Sequence, residues 1–143
     1  MVDRTLILRK ISELDEYLEQ LQEYRSLTAR KYLGDWKTQR IVERTLQMAI
    51  ETCLDIASHL VSDRGWRTPD GYADTFRVLA ENKAIGKGLL PKLERMAGFR
   101  NVVVHHYDRV DAAIVVDLLQ KHLVDFVAFE KAIIKVLKRE RIS

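Results

Sequence analysis

The sequence predicts an all-α fold, a single domain over residues 1–143 built as an antiparallel bundle of about five helices that pairs with a second copy. Three observations predict it. Apolar residues recur at helical steps along most of the chain, with acidic and amide side chains on the outer faces. Residues favouring a sheet are few: Val102, Val103 and Val104 are β-branched, but three in a row do not outweigh the helical pattern around them. The turn signals are widely spaced, and no internal repeat, low-complexity tract or linker divides the chain. A length of 143 residues with 47% hydrophobic content suits one sizeable core.

The first helix is marked by Ile7, Ile11, Leu14, Leu18 and Leu21 at alternating steps of four and three, continued by Tyr24 and Leu27. Glu13, Glu16, Glu19, Gln20 and Glu23 take its outer faces, and the helix is expected to end near Gly34. Asp35 is a natural N-cap for a second long helix, because its short carboxylate can accept from unpaired N–H groups of the first turn. That helix carries Ile41, Leu46, Ile50, Cys53, Leu54, Ala57 and Leu60 to a stop at Asp63-Arg64-Gly65. Thr68-Pro69-Asp70-Gly71 is turn chemistry, and Tyr72 to Asn82, with Phe76 and Leu79 inward, makes a short third helix. Gly86 and Gly88 break the chain again, and Pro91 fits the first turn of a fourth helix through Leu93, Met96 and Ala97. A fifth starts with Asp111 as cap and carries a broad stripe of Ile114, Val115, Leu118, Leu119, Leu123, Phe126, Val127 and Ile133. Stripes this wide exceed what a small monomer needs, which points to a helical dimer.

The fourth helix ends in Arg100-Asn101-Val102-Val103-Val104-His105-His106-Tyr107, where a permanent cation, a titratable imidazole and a phenol fall within eight residues. Such a set suits phosphate chemistry, since a guanidinium fork matches two phosphate oxygens and imidazole can take or give a proton near neutral pH. Helix geometry puts Arg100 and Tyr107 on nearly one face but His105 roughly 140° from Arg100. Either the backbone unwinds between Val104 and Tyr107, or the histidine meets an arginine of a second copy. The neighbouring Phe99, Val102, Val103 and Val104 imply a partly dry setting, where charge effects are strong.

With Asn following the arginine, this run resembles the Arg-x4-His-x-Tyr signature of HEPN-domain ribonuclease toxins of the HepT type. The likeness extends to Met96-Ala97-Gly98-Phe99 and Asp108-Arg109-Val110-Asp111. It continues more loosely over Glu43-Arg44 through Glu51 and Asp55, and over Tyr72 to Phe76. The resemblance implies a HEPN-like helical dimer, the toxin of a type VII-like toxin–antitoxin pair, encoded with a small nucleotidyltransferase antitoxin that adds AMP to the tyrosine of the motif, here Tyr107. It also implies a metal-independent endoribonuclease with no cofactor. RNA carries its own nucleophile in the 2′-hydroxyl, so His105 would handle the proton transfers and Arg100 would stabilise the crowded phosphate. Asn101 and Asp55 are the supporting candidates. Paired subunits would supply two histidines to one cleft and leave a 2′,3′-cyclic phosphate opposite a 5′-hydroxyl.

Blander explanations exist for each residue. Arg100 could pair with Asp55, Asp108 or Asp111, and His105 could be a helix-terminal histidine complementing the dipole. Asp55, Glu51 and His59, one turn apart, form a polar trio that could buttress Arg100 or be a solvated stripe, and His106 points away from the group. Tyr107 could instead contact the substrate base or phosphate, or be an amphipathic edge residue. His122 with Lys135, Lys138, Arg139 and Arg141 reads as a solvated helix end, or as contacts to an RNA backbone. A catalytically silent HEPN adaptor that binds a nucleotidyltransferase or a nucleotide is the alternative function, and a ligand-free structural dimer is a third.

Composition narrows the remainder. Lys and Arg number 24 against 21 acidic residues, a net charge of +3 that alone says nothing about nucleic acid. The single cysteine, Cys53, cannot form an internal disulfide and fits a small buried side chain in a reducing compartment. No zinc spacing occurs, and no apolar run approaches the roughly 18 residues of a membrane span, so a cytoplasmic protein with no membrane partner is expected.

Overall fold

A computed structural model describes the backbone of residues 3–142 and the side chains of residues 3–139, and its regular structure is entirely helical. The elements are α1 (Arg4–Gln22), α2 (Ala29–Gly34), α3 (Trp36–Arg64), α4 (Tyr72–Glu81), α5 (Leu90–His105), a 3-10 turn (Tyr107–Arg109), α6 (Ala112–Lys121) and α7 (Leu123–Ile142). Helix α3 is the hub, packing against α1, α2, α4 and α5, while α6 bridges α2 and α7. Among the described residues, no helix is long and apolar enough to cross a membrane.

The expected α1 stripe is buried in full: Ile7, Ile11, Leu14, Leu18 and Leu21 all reach the core, and Asp3 caps the helix by accepting from the Leu6 N–H at 3.0 Å. Its expected end near Gly34 is wrong, because the helix stops at Gln22. Tyr24 and Leu27 continue inward, but as turns bonded back to Leu21 and Tyr24. Thr28 then takes an extended conformation and accepts from the Lys31 N–H at 3.2 Å, starting α2 as a separate helix. A threonine hydroxyl competing for backbone N–H groups favours such a start over an unbroken run. Buried Tyr32 of α2 donates its phenol proton to Glu43 of α3, fixing the short helix to the hub.

Asp35 caps α3 as expected, accepting from the N–H groups of Lys37 and Thr38 at 3.1 and 3.3 Å. The other end closes at Gly65, whose φ of 65° is the left-handed conformation that glycine adopts without a Cβ clash. The following loop is held by Arg67, which donates two bonds to Asp74 at 2.7 and 2.9 Å and two more to Glu81. This clamp sets the start of α4, whose Phe76 meets Phe129 of α7 edge-on at 6.0 Å, a geometry worth about 0.5–1.5 kcal/mol beyond burial.

The single fifth helix is also corrected: it is two helices, α6 capped by Asp111 and α7, separated at His122. The His122 ring lies between Asp117 and Asp125, at 3.1 Å from Nε2 and 2.7 Å from Nδ1, and the Asp125 N–H bonds to the His122 carbonyl. A half-buried imidazole tied to two carboxylates in this way re-aims the chain, so His122 is a structural joint instead of part of a solvated tail. The re-aiming also redistributes the stripe. Ile114 and Val127 are 50% and 39% exposed, whereas Phe129 is fully buried. On α3 the expected Ile41 stays outside as well, at 48% exposure. Cys53 is buried, as its setting implied, and burial followed by the nearby charge of Glu130 pushes its thiol well up, which makes it a poor nucleophile.

Candidate functional site

Helix α5 carries the motif, and its helical turn holds through all three valines, with Val103 buried and Phe99 beneath it. Pro91 occupies its first turn as expected. The helix ends where His106 leaves helical geometry at φ −141° and ψ 49°, its N–H still bonded to the Val102 carbonyl at 2.7 Å. Unwinding therefore begins one residue after His105. It reorients Tyr107 through the 3-10 turn, but it leaves His105 on the opposite side of an intact helix from Arg100, about 140° around and about 7.5 Å along.

Arg100 points inward. Its side chain is 14% exposed and is fixed from three directions by three different elements. Its Nε donates to Oε1 of Glu51 on α3 at 3.1 Å, and its Nη1 donates to Oδ1 of Asn101 at 3.2 Å. The guanidinium carbon lies 4.7 Å from the centre of the Tyr72 ring on α4, a cation–π contact worth about 0.5–2 kcal/mol depending on desolvation. Glu51 is itself held by Gln47 one turn earlier, which donates to the same oxygen at 2.9 Å. Of the five guanidinium protons, the two on Nη2 have no hydrogen-bond acceptor among the described residues. An edge so presented can take a phosphate oxygen without breaking the anchor.

Asp55 does not take the expected supporting place. It lies on the exposed side of α3, 3.5 Å from Lys10 of α1, and the carboxylate one turn earlier, Glu51, meets Arg100 instead. Asn101 does contact the arginine. His105 and His106 are both exposed, and no hydrogen bond joins His105 to Arg100 among the described residues. His59 is exposed too.

Tyr107 is 67% exposed and stands at the mouth of a cleft of about 410 Å³ lined by Arg40, Glu43, Arg44 and Val103. Both arginines are exposed and sit one turn apart on α3, so the cleft beside the phenol carries two cations against the one carboxylate of Glu43, which Tyr32 already bonds. Of the polar trio that could buttress Arg100, only Glu51 does so. Tyr72 and Arg44 fell within the looser likeness without a role, and nothing in the local pattern marked Arg40, whose place beside Tyr107 is tertiary. The Arg141 side chain lies outside the described residues, while Lys135, Lys138 and Arg139 are exposed. The described residues include no group of three or more His, Cys, Asp or Glu side chains placed to hold a metal ion.

The model of the family described as Ribonuclease HepT-like matches residues 14–133. The mRNA nuclease HepT of Shewanella oneidensis is 33% identical over 135 residues, covering 94% of this chain and 98% of that protein. The tRNA nuclease HepT of Aphanizomenon flos-aquae is 24% identical over 110 residues, covering 77% of this chain and 75% of the relative. The solved structure of the tri-AMPylated Shewanella oneidensis HEPN toxin, in complex with an MNT antitoxin, has a TM-score of 0.83 at 32% identity. That match covers 93% of this chain and 98% of the toxin.

Proposed function

From the premise that the chain belongs to the HepT-like ribonuclease family, we propose that it is the toxin of a type VII-like toxin–antitoxin pair, a cytoplasmic endoribonuclease working without metal. The observation that carries the proposal is the guanidinium of Arg100, locked by Glu51, Asn101 and Tyr72 with its Nη2 edge unspent. A preorganised donor of this kind needs no reorganisation as charge builds on phosphorus.

The chemistry follows from the groups. The RNA 2′-oxygen attacks the adjacent phosphorus while one imidazole takes its proton, and the bond to the 5′-oxygen breaks as a second imidazole donates a proton to it. The products are a 2′,3′-cyclic phosphate and a 5′-hydroxyl. Proton transfer by positioned imidazoles contributes about 10²- to 10⁴-fold. One chain offers one outward His105 on the far side of α5 from its own Arg100. A homodimer that buries the outer face of α5 would bring two such histidines to one cleft, and this supports a composite site across a two-fold axis.

Control falls to Tyr107. Its phenol oxygen would attack the α-phosphorus of ATP, held by a nucleotidyltransferase antitoxin, and release pyrophosphate. The resulting phosphodiester carries about one negative charge, which the guanidinium groups of Arg40 and Arg44 are placed to meet. A nucleotide docked there would occupy the space beside the motif and repel RNA.

The test is incubation of the purified protein with total cellular RNA in the presence of a chelator, with the cut ends mapped for wild type and for His105→Ala. Cyclic-phosphate ends that vanish in the variant are expected. Cleavage that survives the substitution, or that stops in chelator, refutes the mechanism. The inward, ion-paired setting of Arg100 is the one observation favouring a silent adaptor. That reading requires the antitoxin to bind while RNA stays intact.

A further inference from the structure

Far from the motif, the loop after α4 and the second half of α7 enclose a groove of about 500 Å³ lined by Lys83, Lys87, Lys131, Lys135 and Arg139, with no acidic residue in its lining. In a chain with 24 basic and 21 acidic residues, five cations without one carboxylate depart from the average surface. None of the five is ion-paired among the described residues, whereas Arg67, Arg77, Lys92 and Arg100 all are. Two structural costs are accepted to place them. Lys131, Lys135 and Arg139 follow one another at steps of four along α7, a like-charge row that destabilises a helix. Lys83 sits at φ 59° in the left-handed closing position of α4, where the Lys83 N–H bonds to Ala80 and the Ala84 N–H to Leu79. Glycine is the usual occupant of that position, and any side chain there is strained.

We infer that this groove is a second RNA contact, a track for the phosphate backbone that holds substrate arriving at the Arg100–His105 site; it rests on the ribonuclease reading above. The α7 cations recur about every 6 Å along the helix, a spacing that the phosphates of a flexible single strand can follow. Lysines act as point charges that position a backbone without reading sequence. The groove lies at the start of α5, so the length of that helix, about 24 Å, separates it from His105. An RNA spanning both would extend several nucleotides beyond the scissile bond. A protein partner is the weaker candidate, because none of the large exposed apolar side chains lies in the groove to anchor an interface.

Two variants test the track: Lys83→Gly, which removes a cation and relieves the backbone, and the triple Lys131→Ala, Lys135→Ala, Arg139→Ala. Binding of a labelled single-stranded RNA is measured over a range of salt in a His105→Ala background. Each phosphate contact contributes about 0.7 to the log–log salt slope for a single strand. The triple variant should therefore lower that slope by about 2 and Lys83→Gly by less than 1, with Lys83→Gly at least as heat-stable as the parent. In the active protein, KM for a long RNA should rise while a short oligonucleotide around the cut is cleaved as before. Unchanged slopes and KM would overturn the track, as would variants that bind RNA normally but lose the nucleotidyltransferase. A wild type that leaves RNA intact yet binds it through these cations would refute the nuclease reading and keep the groove.

Discussion

Arg100 and Glu51, 49 residues apart in sequence, meet at 3.1 Å between Nε and Oε1, so the motif's cation is aimed by the hub helix as well as by its own neighbour Asn101. A guanidinium held at Nε and Nη1 loses its rotational freedom and keeps its Nη2 protons for a ligand. Arg100→Ala is expected to lower kcat by about 10²- to 10³-fold. Glu51→Ala should lose less, because the arginine survives but wanders. The double variant should be no worse than Arg100→Ala, since Glu51 acts only through the arginine. Single-turnover cleavage of a defined RNA measures all three, and additive losses would mean that Glu51 has a separate task.

On the proposed mechanism, His105 on the outer face of α5 would make activity a property of the pair. If both imidazoles serve one cleft, a dimer with one wild-type and one His105→Ala chain lacks either the acid or the base. Its rate should fall by about 10²-fold or more, not by half. Tagging the two chains differently and purifying the mixed dimer isolates that species. Half-activity would assign each site to a single histidine.

In the proposed function, Tyr107 and the arginines beside it separate cutting from control. Tyr107→Phe should keep RNA cleavage within a few-fold, because the phenol oxygen has no part in the proton transfers, yet it should abolish AMP addition and neutralisation by the antitoxin. Arg40→Glu with Arg44→Glu should leave the phenol available but slow its modification and weaken the inhibition that follows. Intact-mass measurement after incubation with the antitoxin and ATP, alongside a cleavage assay, reads both effects. A Tyr107→Phe protein that still gains AMP would move the modification elsewhere.

Where burial follows a local period, the sequence is readable. The α1 stripe, the Asp35 and Asp111 caps, Gly65 and Pro91 stand as expected because each depends on residues within a turn or two. The break at Thr28 competes with a hydrophobic pattern that runs on through Leu27, and the joint at His122 needs two carboxylates on opposite sides of it. Neither carries a glycine or proline to announce it. The Arg-x4-His-x-Tyr spacing identified the family, and it also stated the difficulty that the structure keeps, an arginine and a histidine on different faces. Glu51, Tyr72, Arg40 and Arg44 reach the motif across helix packing, so no window of sequence contains those encounters.

A pH dependence of stability is built in at Glu130. This α7 carboxyl is buried against α1 and α3, and its Oε2 has no hydrogen-bond partner among the described residues. Burial first, then the hydrogen bond and charge of Asp15 on α1, push it from an ordinary 4.5 up to about 8. The folded state therefore holds a proton that the unfolded chain releases. The stability this contributes is full below pH 4.5 and is lost as pH rises through about 8. Asp74 and Glu81 work in the opposite sense: bonds from Arg67 lower both, so their contribution is present at neutral pH and lost on acidification below the usual carboxylate range. Glu130→Gln, neutral at every pH and still able to donate to Asp15, should flatten the alkaline decline. Its Tm should equal that of the parent near pH 4.5 and exceed it near pH 8.5 in scans across that interval. Parallel Tm curves for the two proteins would show that Glu130 ionises as readily in the fold as out of it.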